Sequence, residues 1–213
     1  MAYQESIQIL RHLAIGLKYL AKHDIAHRDV KPDNIVIEST SMKPKIVDFG
    51  LATSCKTDKY IYKHCGTPGY VAPEILDSHC REISPLVDIF SLGIIFHLML
   101  FRRFPYTTKN VNEILAQNKS ADFNFGSFED LVLPEEGIKL LEEMVQSNPS
   151  TRINAKKIIR IIEQKGNKKN HQPLKQADPC SIYAGTKECN KMKLLRSGSL
   201  DVFFKKRVSQ ILV

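Results

Sequence analysis

The chain has 213 residues, 43% of them hydrophobic and 25% charged, with a net charge of +8. That composition supports one domain with a sizeable core and excludes a wholly disordered chain. No apolar run is long enough to span a bilayer, no secretory leader pattern opens the sequence, and the five cysteines show neither the spacing of a zinc site nor that of a disulfide framework. An odd number of cysteines without paired spacing fits a reducing setting, so an intracellular, cytoplasmic protein is expected. The charge is uneven: residues 166–213 hold ten basic side chains against three acidic ones and so carry seven of the net charges. The rest is nearly neutral, which argues against a nucleic-acid-binding surface.

Residues 3–22 place Ile7, Leu10, Leu13, Leu17 and Leu20 at steps of three and four, which predicts an amphipathic helix. The polar stretch "IAHRDVKPDNIVI" follows, from Ile25 to Ile37. Ile35 to Ile37 and Lys45 to Val47 read as the two short strands of a hairpin. Residues 48–82 lack periodicity and hold Gly50, Gly66, Pro68, Gly69 and Pro73, which predicts a long loop; loops of that length in compact domains are usually functional. Pro85 opens a helix to about Phe101, apolar nearly all round and hence buried, with His97 as its polar interruption. The stretch "TTKNVNEILAQNK" reads as a short helix capped by Thr107 or Thr108. A further helix starts at Pro134 with acids in its first turn, where the helix dipole favours them. The last, "NAKKIIRIIEQ", sets Ile158, Ile159 and Ile162 on one face. The pattern then dissolves, which divides the chain into a folded unit over 1–165 and a basic, disordered tail over 166–213. The expected fold is mainly α, with one small β-hairpin.

Five hydrogen-bonding side chains, His27, Arg28, Asp29, Lys31 and Asn34, crowd into eight residues. Such groups are costly to order unless they serve something. Taken alone, the stretch is also what a polar turn before a buried strand would show. Further along stand "VDFGLA" with Asp48, "GTPGYVAPE" from Gly66 to Glu74, "VDIFSLG" from Val87 to Gly93, and Arg152 in "NPSTRI". A single tripeptide of this kind arises often by chance, but HRDVKPDN, DFG, APE and D-x-F-S-x-G in one order do not. The chain thereby resembles the eukaryotic protein kinases over residues 3–163. Lys31 after the loop Asp, with Thr67 in "GTPGY", resembles the serine/threonine type, and "CGTPGYVAPEIL" is similar to calcium/calmodulin-dependent and related kinases.

The resemblance implies a kinase large lobe: a helical lobe in which the hairpin carries the catalytic loop. It implies ATP and Mg2+ as cofactors and a protein Ser or Thr hydroxyl as acceptor. Phosphoryl transfer needs positioning and charge neutralisation more than covalent chemistry. Asp29 would accept a hydrogen bond from the substrate hydroxyl and take its proton late. Lys31 would offset charge on the transferred group. Asn34 and Asp48 would bind the metal, which needs few protein oxygens when phosphates and water supply the rest. Val36 would face the adenine, so Val36, Asn34 and Asp48 form the cofactor-binding set. By the same resemblance His27 and Phe49 stack internally, Asp88 hydrogen-bonds the HRD turn, and Glu74 pairs with Arg152 in the interior. Phe90 stands where the family commonly has Trp.

Two departures from the family pattern stand out. No G-x-G-x-x-G and no V-A-I-K-like strand precedes the loop, so the small β-rich lobe is expected to be missing and the apolar surface it would cover to be open. This sets a protein serine/threonine kinase, read as truncated, against a catalytically silent kinase-like scaffold that binds partners. The second departure is Lys63, which occupies the usual loop phospho-acceptor position, with Thr57, Tyr60 and Tyr62 nearby. It predicts activation without the usual loop phosphothreonine. Finally, "DVFFKKRVSQILV" reads either as a disordered basic end or as an amphipathic segment for calmodulin, another acidic partner or an anionic membrane.

Overall fold

The structure, a computed structural model, describes residues 2–38, 43–56, 65–79, 82–121, 123 and 133–166. Lys63 with its neighbours, and the tail readings, lie outside the described residues. The first element is α1 (Tyr3–Lys22), which buries Leu10, Leu13, Ala14, Leu17 and Leu20 along one stripe. Glu5 in its first turn accepts a hydrogen bond from the Ala2 backbone N–H at 2.9 Å, so an orphan donor at the helix start is satisfied.

Four short strands follow. β1 (Ile25–Ala26) pairs antiparallel with β4 (Thr53–Ser54), Ile25 opposite Ser54. β2 (Ile35–Ile37) pairs antiparallel with β3 (Pro44–Ile46), Ile35 opposite Ile46 and Val36 opposite Lys45. The second strand of the hairpin thus begins and ends one residue earlier than its sequence suggests. Val47 still reaches the ladder, its N–H donating to the Asn34 carbonyl at 2.9 Å. The long loop is less irregular than its sequence: it contains β4 and a 3-10 turn at Pro73–Ile75.

The helical body comprises α2 (Leu86–Phe101), α3 (Val111–Ser120), α4 (Glu135–Met144) and α5 (Ala155–Gly166). α2 is buried on nearly every side, with α1, α4 and β1 against it. A helix enclosed this way can be apolar all round, as its sequence is. α1 also packs on α5 and β3, which joins the two ends of the described chain. α3 is capped by Asn110, whose Oδ1 accepts from Asn112 and Glu113 N–H; Thr108 instead accepts from Asn110 N–H. The cap therefore falls on Asn110, not on either threonine: an Asn at that position reaches two orphan donors at once.

Large apolar side chains left exposed among the described residues are Ile15, Tyr19, Phe104 and Val111. Val36 and Ile37 on the hairpin are half-buried. No helix among the described residues is long and apolar enough to cross a membrane.

Candidate active site

The site is built on the polar turn between β1 and β2. Its backbone is held from beneath by Asp88, in the first turn of α2 and almost wholly buried. The two carboxylate oxygens accept from His27 N–H at 2.7 Å and Arg28 N–H at 2.8 Å. Burial pushes the Asp88 carboxyl upward, and these two donors with the neighbouring His27 and Arg28 oppose that rise. Arg28 adopts a left-handed φ of 67°, a conformation with a real cost for a side chain that bears a Cβ. Its Nε donates to the Leu51 carbonyl at 2.7 Å, which ties the turn to the segment after Asp48.

His27 bridges the same two segments. One ring nitrogen, Nε2, lies 3.0 Å from the Val47 carbonyl, which can only accept; the other, Nδ1, accepts from Asp29 N–H at 3.3 Å. These partners assign the hydrogen to Nε2. Phe49 meets the ring edge-on, centroids 4.7 Å apart. The stacking, Asp88 and ion-pair expectations all hold: Glu74 and Arg152 form a bidentate pair at 2.6 and 2.8 Å, with Phe90 beneath the guanidinium at 5.2 Å.

Asp29 is the centre of the cluster. Thr67 Oγ1 donates to its Oδ1 at 2.6 Å, while Lys31 Nζ at 3.0 Å and Asn34 Nδ2 at 2.9 Å meet Oδ2. Asn34 Nδ2 also donates to the Asp29 carbonyl at 2.8 Å, and Lys31 Nζ to Thr67 Oγ1 at 2.7 Å. Burial by itself would raise the Asp29 carboxyl. The hydrogen bonds from Thr67, Lys31 and Asn34, with the charge on Lys31, outweigh it and hold the group below the usual carboxylate range. Asp29, Lys31 and Asn34 are thus brought together as their spacing suggests.

Asp48 follows the β3 strand and is exposed. It sits at φ 60°, and its Oδ1 accepts from Gly50 N–H at 3.1 Å, a local side-chain turn that makes the left-handed conformation tolerable. The hydrogen bond from Val47 to Asn34 brings the Asp48 end of β3 alongside Asn34. Val36 lies two residues beyond Asn34, opposite Lys45. With both bonds of Asn34 made by Nδ2, its Oδ1 keeps the lone pairs a cation needs. One amide oxygen and one exposed carboxylate suit Mg2+, which keeps waters and phosphate oxygens as its other ligands. Among the described residues no group of three His, Cys, Asp or Glu forms a cage for a more demanding metal.

Thr67 is the site residue that sequence reasoning used only as a type marker. It lies 38 positions from Asp29, and no local periodicity announces such a contact.

Comparison with known proteins matches residues 1–161 to the family described as "Protein kinase domain". The chain belongs to the eukaryotic serine/threonine protein kinases. Among its relatives, the serine/threonine-protein kinase PLK4 of Drosophila grimshawi is 36% identical over 158 residues, covering 74% of this chain and 20% of that protein. The serine/threonine-protein kinase RAD53 of Saccharomyces cerevisiae is 30% identical, covering 71% of this chain and 20% of the relative. A probable myosin light chain kinase of Dictyostelium discoideum is 31% identical, covering 71% and 43%. The chain spans about a fifth of the length of the first two. These kinase relatives do not single out a calcium/calmodulin-dependent branch. Protein kinases as a family use ATP with Mg2+ and act on protein substrates.

Proposed function

We propose that this kinase chain carries the residues that transfer the γ-phosphoryl group of ATP to a Ser or Thr hydroxyl of a protein. The observation that carries the reading is the Asp29 carboxylate, ionised and fixed by three donors from two separate segments. A carboxylate held below its usual range is a weak base. It orients an incoming hydroxyl by accepting its hydrogen bond, and it takes the proton late, once the hydroxyl oxygen is bonding to phosphorus and has become acidic. The P–O bond to the leaving diphosphate breaks as the new one forms. Lys31, next to Asp29 and Thr67, sets a positive charge beside the group in transit. Asn34 and Asp48 would hold Mg2+, which supplies charge neutralisation on the phosphate oxygens.

An intracellular setting goes with this reading, since ATP is held there and both described cysteines, Cys55 and Cys65, are free thiols. The test is phosphate transfer from labelled ATP to Ser- and Thr-containing peptides, with Asp29→Asn as the comparison. We expect Asp29→Asn to lower the rate by about 10²–10⁴-fold, and Asp48→Asn to raise the Mg2+ concentration needed for half-maximal rate. A rate that survives Asp29→Asn would overturn the assignment.

A further inference from the structure

Residues 69–71, in the "GTPGY" loop, belong to no helix or strand, yet side chains meet the backbone at each of them. Gly69 N–H donates to Asn118 Oδ1 at 3.1 Å, and the Gly69 carbonyl accepts from Tyr106 Oη at 2.5 Å. The Tyr70 carbonyl accepts from Ser91 Oγ at 2.7 Å, and the Val71 carbonyl from Asn118 Nδ2 at 2.8 Å. Asn118, on α3, is the one that holds two of these groups, one on each side of Tyr70. It is fully buried. Asn is a mediocre helix former, and burying its amide is costly unless both ends are satisfied. The end of α3 does not need that side chain: Ala121 N–H closes it onto the Gln117 and Asn118 carbonyls.

The other end of the same loop touches Asp29. Thr67 to Tyr70 form a turn closed by Tyr70 N–H on the Thr67 carbonyl at 3.0 Å, with Pro68 second and Gly69 third at φ +92°. Pro then Gly at those places suits a type II turn, which fixes the three-residue path from Tyr70 back to Thr67. Thr67 Oγ1 then meets Asp29 and Lys31. A hydroxyl at 2.6 Å leaves hydrogen-bond range after a shift of about 1 Å.

We propose that Asn118 is a positioning residue for the active site: its side-chain amide, clipped to the backbone on both sides of Tyr70, sets where Thr67 holds Asp29. This rests on the role given to Asp29 above. Asn118 touches no reacting atom and acts only through the turn.

The experiment uses the full chain with two readouts. The first needs no catalysis: the methyl NMR signal of Thr67, with Asp29→Ala as the reference for a broken Thr67 bond and the Thr53 and Thr151 methyls as reporters of an intact fold. We expect Asn118→Ala to move the Thr67 signal at least halfway to that reference while the other two stay in place. The near-isosteric Asn118→Asp keeps the acceptor for Gly69 and loses the donor to Val71, so it should move the signal part of the way, and it decides the matter if the alanine variant does not fold. A Thr67 signal unmoved in a folded variant overturns the proposal. The second readout is kcat for peptide phosphorylation in a double-mutant cycle. Asn118→Ala should lower kcat about 10- to 100-fold with KM for ATP little changed, and by less than about twofold when Thr67 is already Val. An equal loss in both backgrounds also overturns it. Absence of phosphate transfer by the unaltered chain would count against the proposed function and leave the NMR result to decide the role of Asn118.

Discussion

A buried carboxylate is unfavourable unless donors meet it, and Glu74 and Asp88 meet that demand in different ways. Asp88 takes two backbone N–H groups and so fixes a turn. Glu74 takes both ends of one guanidinium and so joins the loop that holds Thr67 to the segment before α5. Arg152 has no exposed side-chain surface and also donates to the carbonyls of Gln146, Leu86 and Ser147. Removing its partner leaves a cation sealed among carbonyls and the Phe90 ring. Glu74→Gln should therefore cost about 3–5 kcal/mol, read as a lower urea midpoint at unchanged slope. Replacing both partners by Met should recover much of that loss, because no charge is then stranded. A Glu74→Gln midpoint equal to that of the parent would mean the pair is far wetter than its burial implies. Phe90 in place of the family's usual Trp fits the same picture: it is fully buried and carries the guanidinium on its face.

At the scale of elements, α2 sets the tolerances. At Gly93 an added Cβ would stand 2.6 Å from Val145 Cγ1 and 3.1 Å from Met144 Cβ, so α4 approaches α2 closely there. Ala is the better helix former by about 1 kcal/mol, but overpacking costs about 1–3 kcal/mol, and the clash should win. Gly93→Ala is expected to lower the urea midpoint. His97, on the same helix, is buried against Phe101, and burial pushes its pKa down to about 4. An unfolded His titrates near pH 6.5. Between those values the unfolded chain binds a proton that the folded chain refuses, so this contribution is full above pH 6.5 and is lost as pH falls towards 4. The parent should lose about 3 kcal/mol more than His97→Leu across that window, measured by urea unfolding at each pH. The same elements show what a sequence can reveal. Helix periodicity repeated over 10 to 20 residues made α1, α2, α4 and α5 legible to within a residue or two. β1 and β4 have two residues each and no room for a pattern; only their pairing, Ile25 with Ser54, defines them.

For the whole molecule, the legible part of the site was the part contiguous in sequence: Asp29, Lys31 and Asn34 lie within six positions of one another, and Asp48 follows the paired strand. Thr67 and Asn118 were not legible as site residues, because their contacts cross 38 and 49 positions and depend on how the loop is folded back over the turn. The same long-range closure governs stability. α1 opens the described chain and α5 closes it; the two helices pack together, and Leu10, Leu13 and Leu17 of one and Ile158, Ile159 and Ile162 of the other all lie in the same core. The Arg11–Glu163 ion pair across them is partly exposed and adds at most about 1 kcal/mol. Burial of the isoleucines, at about 1.5–3 kcal/mol for each side chain, is the larger effect. The net stability of a domain is itself only about 5–15 kcal/mol, so losing three such side chains exhausts much of it. A chain ended at Asn154 keeps Arg152 and its ion pair but uncovers the α1 leucines, and it should show no cooperative unfolding transition. A chain ended at Gly166 keeps every residue of the described core and should unfold cooperatively, with a midpoint within error of the full chain. Circular dichroism with urea on the three lengths makes the comparison. A marked drop in midpoint at Gly166 would place part of the folded unit beyond the proposed boundary, and a cooperative transition at Asn154 would show that α1 finds its cover without α5.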